Sequence, residues 1–218
     1  MRSKFDEQLA LLNRDLTKMG SLCEEALALA ARALANADGQ TAAKIAPIDS
    51  EIDQMERTIE SLCLKLLLQQ QPVARDLRQI SAALKMITDM ERIGDQASDI
   101  AEIIGFLNGR IGTDAQYICQ MAVAAMRMVT ESVEAYVKRD VAMAEATIQH
   151  DDVVDDLFLK VKESLIQMIS VNPKDGEYAL DLLMIAKYFE RIGDHATNIA
   201  EWVVFSVTGV HELSLIHI

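Results

Sequence analysis

The sequence predicts an all-α protein built as two tandem antiparallel three-helix bundles. Three observations carry this. The string ERIGD occurs twice, at 91–95 and 190–194. Apolar residues recur in steps of three and four around both copies, the period of a helix face. And the chain holds only 3 prolines, 9 glycines and 5% aromatics against 50% hydrophobic residues, a composition that favours long helices over turn-rich sheet.

The elements follow in order, as six helices near 4–36, 40–70, 74–108, 114–138, 140–170 and 175–208. NADGQT (36–41) ends the first. The second carries the stripe Ile48, Ile52, Met55, Ile59, Leu62, Leu66, and Pro47 should kink or split it just before Asp49. Pro72 marks the next break. The third carries Met86, Met90, Ile93, Ala97, Ile100, Ile104. NGRIGTD (108–114) divides the halves, with Asp114 as a candidate N-cap for the fourth helix. VKRD (137–140) ends that helix. The fifth repeats the second, HDDVVD (150–155) matching IDSEID (48–53), followed by Val154, Leu157, Val161 and Met168. Pro173 precedes the sixth, whose Ile185, Phe189, Ile192, Ala196, Ile199, Val203 repeat the third. Residues 1–110 and 111–212 are thus two copies of one unit. Residues 213–218, LSLIHI, read like one frame of a transposon-type sequencing adapter; they are expected to be foreign, with the native end lost near Glu212.

The net charge of −13 argues against nucleic acid as the main partner and suits cations or basic protein surfaces, although acidic surfaces also simply keep proteins soluble. The cysteines, Cys23, Cys63 and Cys119, have no metal or redox spacing and are expected to be reduced packing residues. MRSKFDEQ lacks the apolar stretch of a secretory signal, and no apolar run is long enough to span a membrane, so the expectation is a cytoplasmic protein.

Residues four apart on a helix lie about 40° apart around its axis. Glu91, Asp95, Asp99 and Glu102 therefore form one stripe, and Glu190, Asp194, Asn198 and Glu201 another, each opposite the apolar face. Asp49, Asp53, Glu56 and Glu60 form a third, Asp151 and Asp155 a short fourth. Stacked like charges cost about 0.2–0.5 kcal/mol per pair. Oxygen-rich clusters suit Mg²⁺, Mn²⁺, Fe or Ca²⁺. If the second helix of each unit lies beside the third, Asp53 and Asp155 add ligands. A single such stripe reads better as a solvated face; two copies shift the balance toward a site, though duplication alone also repeats a motif.

Gly94 and Gly193 each cost helix stability of about 1 kcal/mol. They imply close helix approach, or backbone access to an ion, the former being simpler. His150 and His195 fit packing roles better than ligation. Ile192 and Thr147 stand where a di-iron Glu-x-x-His motif needs Glu. No P-loop, GxGxxG, GxSxG or HExxH is present, so the sequence reads as a non-enzyme.

ERIGDQASDIAE (91–102), ERIGDHATNIAE (190–201) and the D-xxx-D segments at Asp53 and Asp155 resemble the signature of the PhoU family, phosphate-transport regulators, over Lys4 to Glu212. The resemblance implies a cytoplasmic, commonly dimeric negative regulator of phosphate uptake and the phosphate-starvation response. It implies action between the nucleotide-binding subunit of a phosphate ABC transporter and a sensor histidine kinase. It also implies metal (Mg, Mn, Fe or Zn) at Glu91, Asp95 and Asp99, and at Glu190, Asp194 and Asn198, the second set carrying less charge. With Asp53 and Asp155 these are the candidate ligands. Alternative roles are an accessory of a low-affinity phosphate permease and a metal-dependent phosphoester enzyme.

Overall fold

The structure, a computed structural model, describes residues 2–70, 73–107, 109–110 and 115–210. Pro72, Asp114 and the 213–218 tail, each given a role above, lie outside the described residues. In chain order the helices are α1 (Arg2–Asn36), α2 (Gly39–Ala42), α3 (Ile45–Gln70), α4 (Ala74–Phe106), α5 (Gln116–Lys138), α6 (Val141–Gln149), α7 (Asp151–Val171) and α8 (Gly176–Thr208), with a 3-10 turn at Pro173–Asp175 before α8. Among the described residues there is no strand.

Both halves turn their first corner with the same local chemistry. Ala37 (φ 51°) and Arg139 (φ 57°) take the left-handed conformation that ends a helix. Each is followed by an aspartate that caps the next helix: Asp38 accepts from the Gln40 N–H and Asp140 from the Met143 N–H.

The second helix of each unit is divided, which corrects two expectations. In the first half the break falls at residues 43–44, ahead of Pro47 rather than just before Asp49. Pro47 sits in the first turn of α3, where its missing N–H costs nothing. In the second half, expected to be one helix over 140–170, the chain tightens at His150, whose N–H is shared by the Ala146 and Thr147 carbonyls at 3.1 Å each. α7 then starts afresh at Asp151.

The bundles are α1, α3, α4 and α5, α7, α8. Within the first, α1 and α4 run parallel: Gln79 donates to Asn13 (3.3 Å) and Cys23 to the Met90 carbonyl (3.4 Å). The predicted stripes are the core; Ile52, Ile59, Met86, Met90, Ile93, Ile185, Phe189 and Ile192 are all fully buried. Burying a side chain of this size stabilises by about 1.5–3 kcal/mol. One continuous cluster joins both halves, because α4 packs on α8 and α1 on α5. Cys23 and Cys63 are buried, Cys119 half-buried, and all are free thiols. Burial pushes Cys23 and Cys63 up to about 12, so neither is a reactive thiolate.

The α4–α8 crossing has a local two-fold character. In the register that aligns Glu91 with Glu190, Gln96 and His195 are counterparts, and they meet: Gln96 Nε2 lies 3.0 Å from His195 Nε2. On either side, Asp99 bonds the Tyr188 hydroxyl, and its counterpart Asn198 bonds Asp89, the counterpart of Tyr188. Among the described residues no helix is long and apolar enough to cross a membrane.

Candidate metal centre

Where α3 crosses α4, Asp49, Asp53 and Asp95 each bring a carboxylate oxygen within 4.8 Å of the other two. Asp49 and Asp53 are one turn apart on α3, so their side chains share a face; Asp95 comes from the outer stripe of α4. Gly94 makes the approach possible. A Cβ there would stand 2.8 Å from Asp49 Oδ1 and 3.0 Å from Ile52 Cδ1. The glycine is therefore a close-approach residue, and what approaches is a carboxylate.

Asp49 Oδ2 accepts from the Ser98 hydroxyl at 2.9 Å. Its Oδ1 is buried and has no hydrogen-bond partner. Such an atom is costly unless something positive meets it. Burial first, then Asp53 and Asp99, raise the Asp49 carboxyl above its usual range despite Ser98. Burial, Asp49, Asp53 and Asp99 raise Asp95. Burial, Asp95, Glu56 and Asp53 raise Glu91, and burial with Glu60 and Asp53 raises Glu56. The nearest basic group to Asp53 is Arg57, at 3.7 Å on the same helix. The cluster is thus a concentration of negative charge with one orphaned oxygen. Its donors are all carboxylate oxygens, the set that hard divalent cations prefer.

The second copy repeats the frame. A Cβ on Gly193 would lie 3.1 Å from Asp151 Oδ1. Burial, then Asp194, Asp155, Glu190 and Asp152, push Asp151 up to about 7. Asp155 and Asp194 are also raised, chiefly by burial and by Glu190. Here, however, a cation is already present. Lys187 Nζ lies 2.6 Å from Glu190 Oε1, and its charge lowers Asp155 and Asp194. Thr88 is its counterpart in the first copy, where it bonds Glu56 instead. Among the described residues the second set does not converge as the first does.

The candidate ligands therefore separate. Asp53 and Asp95 meet at the first cluster. Glu91 sits beside them, and Asp99 adds its charge while bonding Tyr188. Asp155, Glu190 and Asp194 gather around Asp151 and Lys187. Asn198 is a correction: its amide donates to Asp89 at 3.2 Å, across the α4–α8 contact and not into the second cluster. His195 bonds Asp89 through Nδ1 at 2.8 Å in the same contact, so both its nitrogens are engaged in packing. Asp49 and Asp151 were in the acidic stripes but not among the candidate ligands; their signal was a position four residues before Asp53 and Asp155. His150, half-buried, lies 3.4 Å from Glu131.

The family model of the PhoU domain matches the chain twice, over residues 16–104 and 118–203. A Clostridium acetobutylicum protein named phosphate-specific transport system accessory protein PhoU homolog is 36% identical over 210 residues, 95% of this chain and 96% of that protein. A Synechocystis protein of the same name is 35% identical, covering 97% and 94%. The crystal structure of PhoU from Pseudomonas aeruginosa superposes with a TM-score of 0.90 at 33% identity, covering 94% of this chain and 100% of that one.

Proposed function

The chain belongs to the PhoU family, and from that premise we propose that it is an accessory regulator of phosphate-specific transport. In this role it restrains phosphate uptake and the starvation response from the cytoplasm. It works without catalysis, between the transporter's nucleotide-binding subunit and a sensor histidine kinase, as a homodimer. The observation that supports this most is the full-length match, in both repeats, to relatives named as accessory proteins of phosphate-specific transport.

The metal expectation becomes part of the proposal, with a sharper site. Asp49, Asp53 and Asp95 hold the ion, with Glu91 and Asp99 close by. The orphaned Asp49 Oδ1 and the all-oxygen donor set support Mg²⁺, Mn²⁺ or Fe over Zn²⁺, which more often takes Cys and His. When bound, the cation neutralises the cluster and ties α3 to α4; the carboxylates position it and Gly94 keeps Asp49 close.

Deleting the gene in its host and measuring phosphate uptake at high external phosphate tests the role. Raised uptake with a derepressed starvation reporter, both reversed by complementation, is expected. Unchanged uptake and reporter would overturn it. Raised uptake that persists when the ABC transporter is removed would point to a low-affinity permease instead.

A further inference from the structure

At the end of the molecule away from the α4–α8 crossing, the charge reverses. Arg75 and Arg78 lie in the first turns of α4, and Arg139 is the left-handed residue that closes α5. Their meeting follows from one contact: the Tyr136 hydroxyl donates to the Gln79 carbonyl at 3.0 Å. Arg139 is three residues beyond Tyr136, and Arg75 four before Gln79, so each lies one turn further along the same faces toward the same end. Arg78 crosses the end of α8, its Nε 3.5 Å from where a Gly209 side chain would begin.

None of the three arginines has a carboxylate within ion-pair distance among the described residues, in a chain of net charge −13. Arg78 Nε is buried with no partner. The start of α4 adds donors. Its cap residue, Val73, has no side-chain acceptor, and the N–H groups of the first helical turn have no intrahelical partner. The helix dipole makes that end positive. Asp76 opposes this charge from the same turn.

The counterpart end shows what a satisfied version looks like. In the same register Asp175 stands for Asp76 and Arg110 for Gly209. Arg110 is ion-paired with Asp175 and lies over the Tyr178 ring at 4.2 Å. At the first end Gly209 brings no side chain to Asp76, and among the described residues Asp76 makes no ion pair.

We propose that Arg75, Arg78 and Arg139, with the amino end of α4, form a binding site for a phosphate-type oxyanion. Guanidinium forks match the paired oxygens of phosphate, and the free helix N–H groups donate to the remaining oxygens. The arginines also crowd one another: burial and then Arg75 hold the Arg139 pKa below its usual value, with Arg78 contributing and Asp76 opposing. An anion relieves that repulsion. The site goes beyond the transport reading and does not depend on it, since free phosphate and the phosphates of a nucleotide share this chemistry.

The test is calorimetric titration of the full chain with inorganic phosphate and, separately, with ADP at fixed ionic strength. EDTA is present so that neither binds through a cation in the acidic clusters. Saturable binding of about one equivalent is expected, weakened at least tenfold in R75A/R139A with an unchanged melting temperature. R78K keeps the charge but loses the fork, and should weaken binding less. D76N should tighten it several-fold. Phosphate binding alone assigns the free anion, and ADP binding alone a nucleotide. No binding of either, or binding that R75A/R139A leaves unchanged, overturns the site.

Discussion

At the first acidic cluster, Asp49 receives a hydrogen bond from Ser98 and, among the described residues, pairs with no ammonium group. At the second, its counterpart Asp151 receives none among the described residues: Thr197, in the position of Ser98, has a buried hydroxyl without a partner there. Lys187 enters there instead, pairing with Glu190, where the first copy has only Thr88. The backbone frame is shared, with a glycine under each aspartate and a carboxylate pair on the neighbouring helix. What differs is how negative charge is balanced. Duplication preserved the geometry, because packing of α3 on α4 and α7 on α8 enforces it. Charge balance is set by single side chains and was free to diverge. On this view the first cluster needs a cation from solution and the second carries its own.

Substitutions that exchange the two solutions break the comparison most directly. Thr88→Lys should place an ammonium among Glu91, Glu56 and their neighbours and weaken metal binding at least tenfold, a loss of about 1.4 kcal/mol or more. Isothermal titration with Mn²⁺ measures it. Unaltered affinity would mean that Lys187 is not the reason the second cluster differs.

The glycines come next. Gly94→Ala should destabilise the protein by about 1–2 kcal/mol, because overpacking against Asp49 and Ile52 outweighs the gain in helix propensity. Gly193→Ala meets looser surroundings and should fall within about 1 kcal/mol of wild type. Urea denaturation of both variants reads the difference, and equal losses would remove the contrast.

The pH response is smaller but has a definite sign. Asp151 has a folded pKa of about 7, above its usual 3.8. The folded state therefore holds the proton more tightly, and its stability contribution is full below about pH 4 and lost as pH rises through 7. The melting temperature of metal-free protein should fall from pH 5 to pH 8, and D151N should flatten the fall near 7. A melting temperature that rises over this window would contradict the burial of that carboxyl.

Ser98→Ala should have the smallest effect, making Asp49 resemble Asp151. Its proton would compete harder, lowering apparent Mn²⁺ affinity about two- to fivefold at pH 6 and less at pH 8. Titrations at the two pH values separate this from a general loss of packing, which would weaken both equally.

The stripes Met86 to Ile104 and Ile185 to Val203 were readable because the period of a helix is local and survives any tertiary context. The corners at Asp38 and Asp140 were readable as breaks for the same reason. The division at His150 was not, since no proline or glycine announces it and the cause is a shared carbonyl pair. Asn198 was misplaced because a helical stripe gives a direction around one axis, not the neighbour met there; Asp89 lies on the other repeat. Asp49 and Asp151 carry no mark of their own in the sequence, because only their packing against Gly94 and Gly193 sets them apart from the other carboxylates of their stripes. Lys187 had a visible signal, three residues before Glu190 with Thr88 at the matching place. Its meaning appears only when the two clusters are set side by side.

The most direct test is the metal content of wild type, D49N and D151N, purified identically and measured by inductively coupled plasma mass spectrometry after loading with Mn²⁺ and desalting. Wild type and D151N should retain the ion, and D49N should lose it. Equal retention by both variants, or loss from D151N alone, would contradict the assignment of the cation to the first cluster.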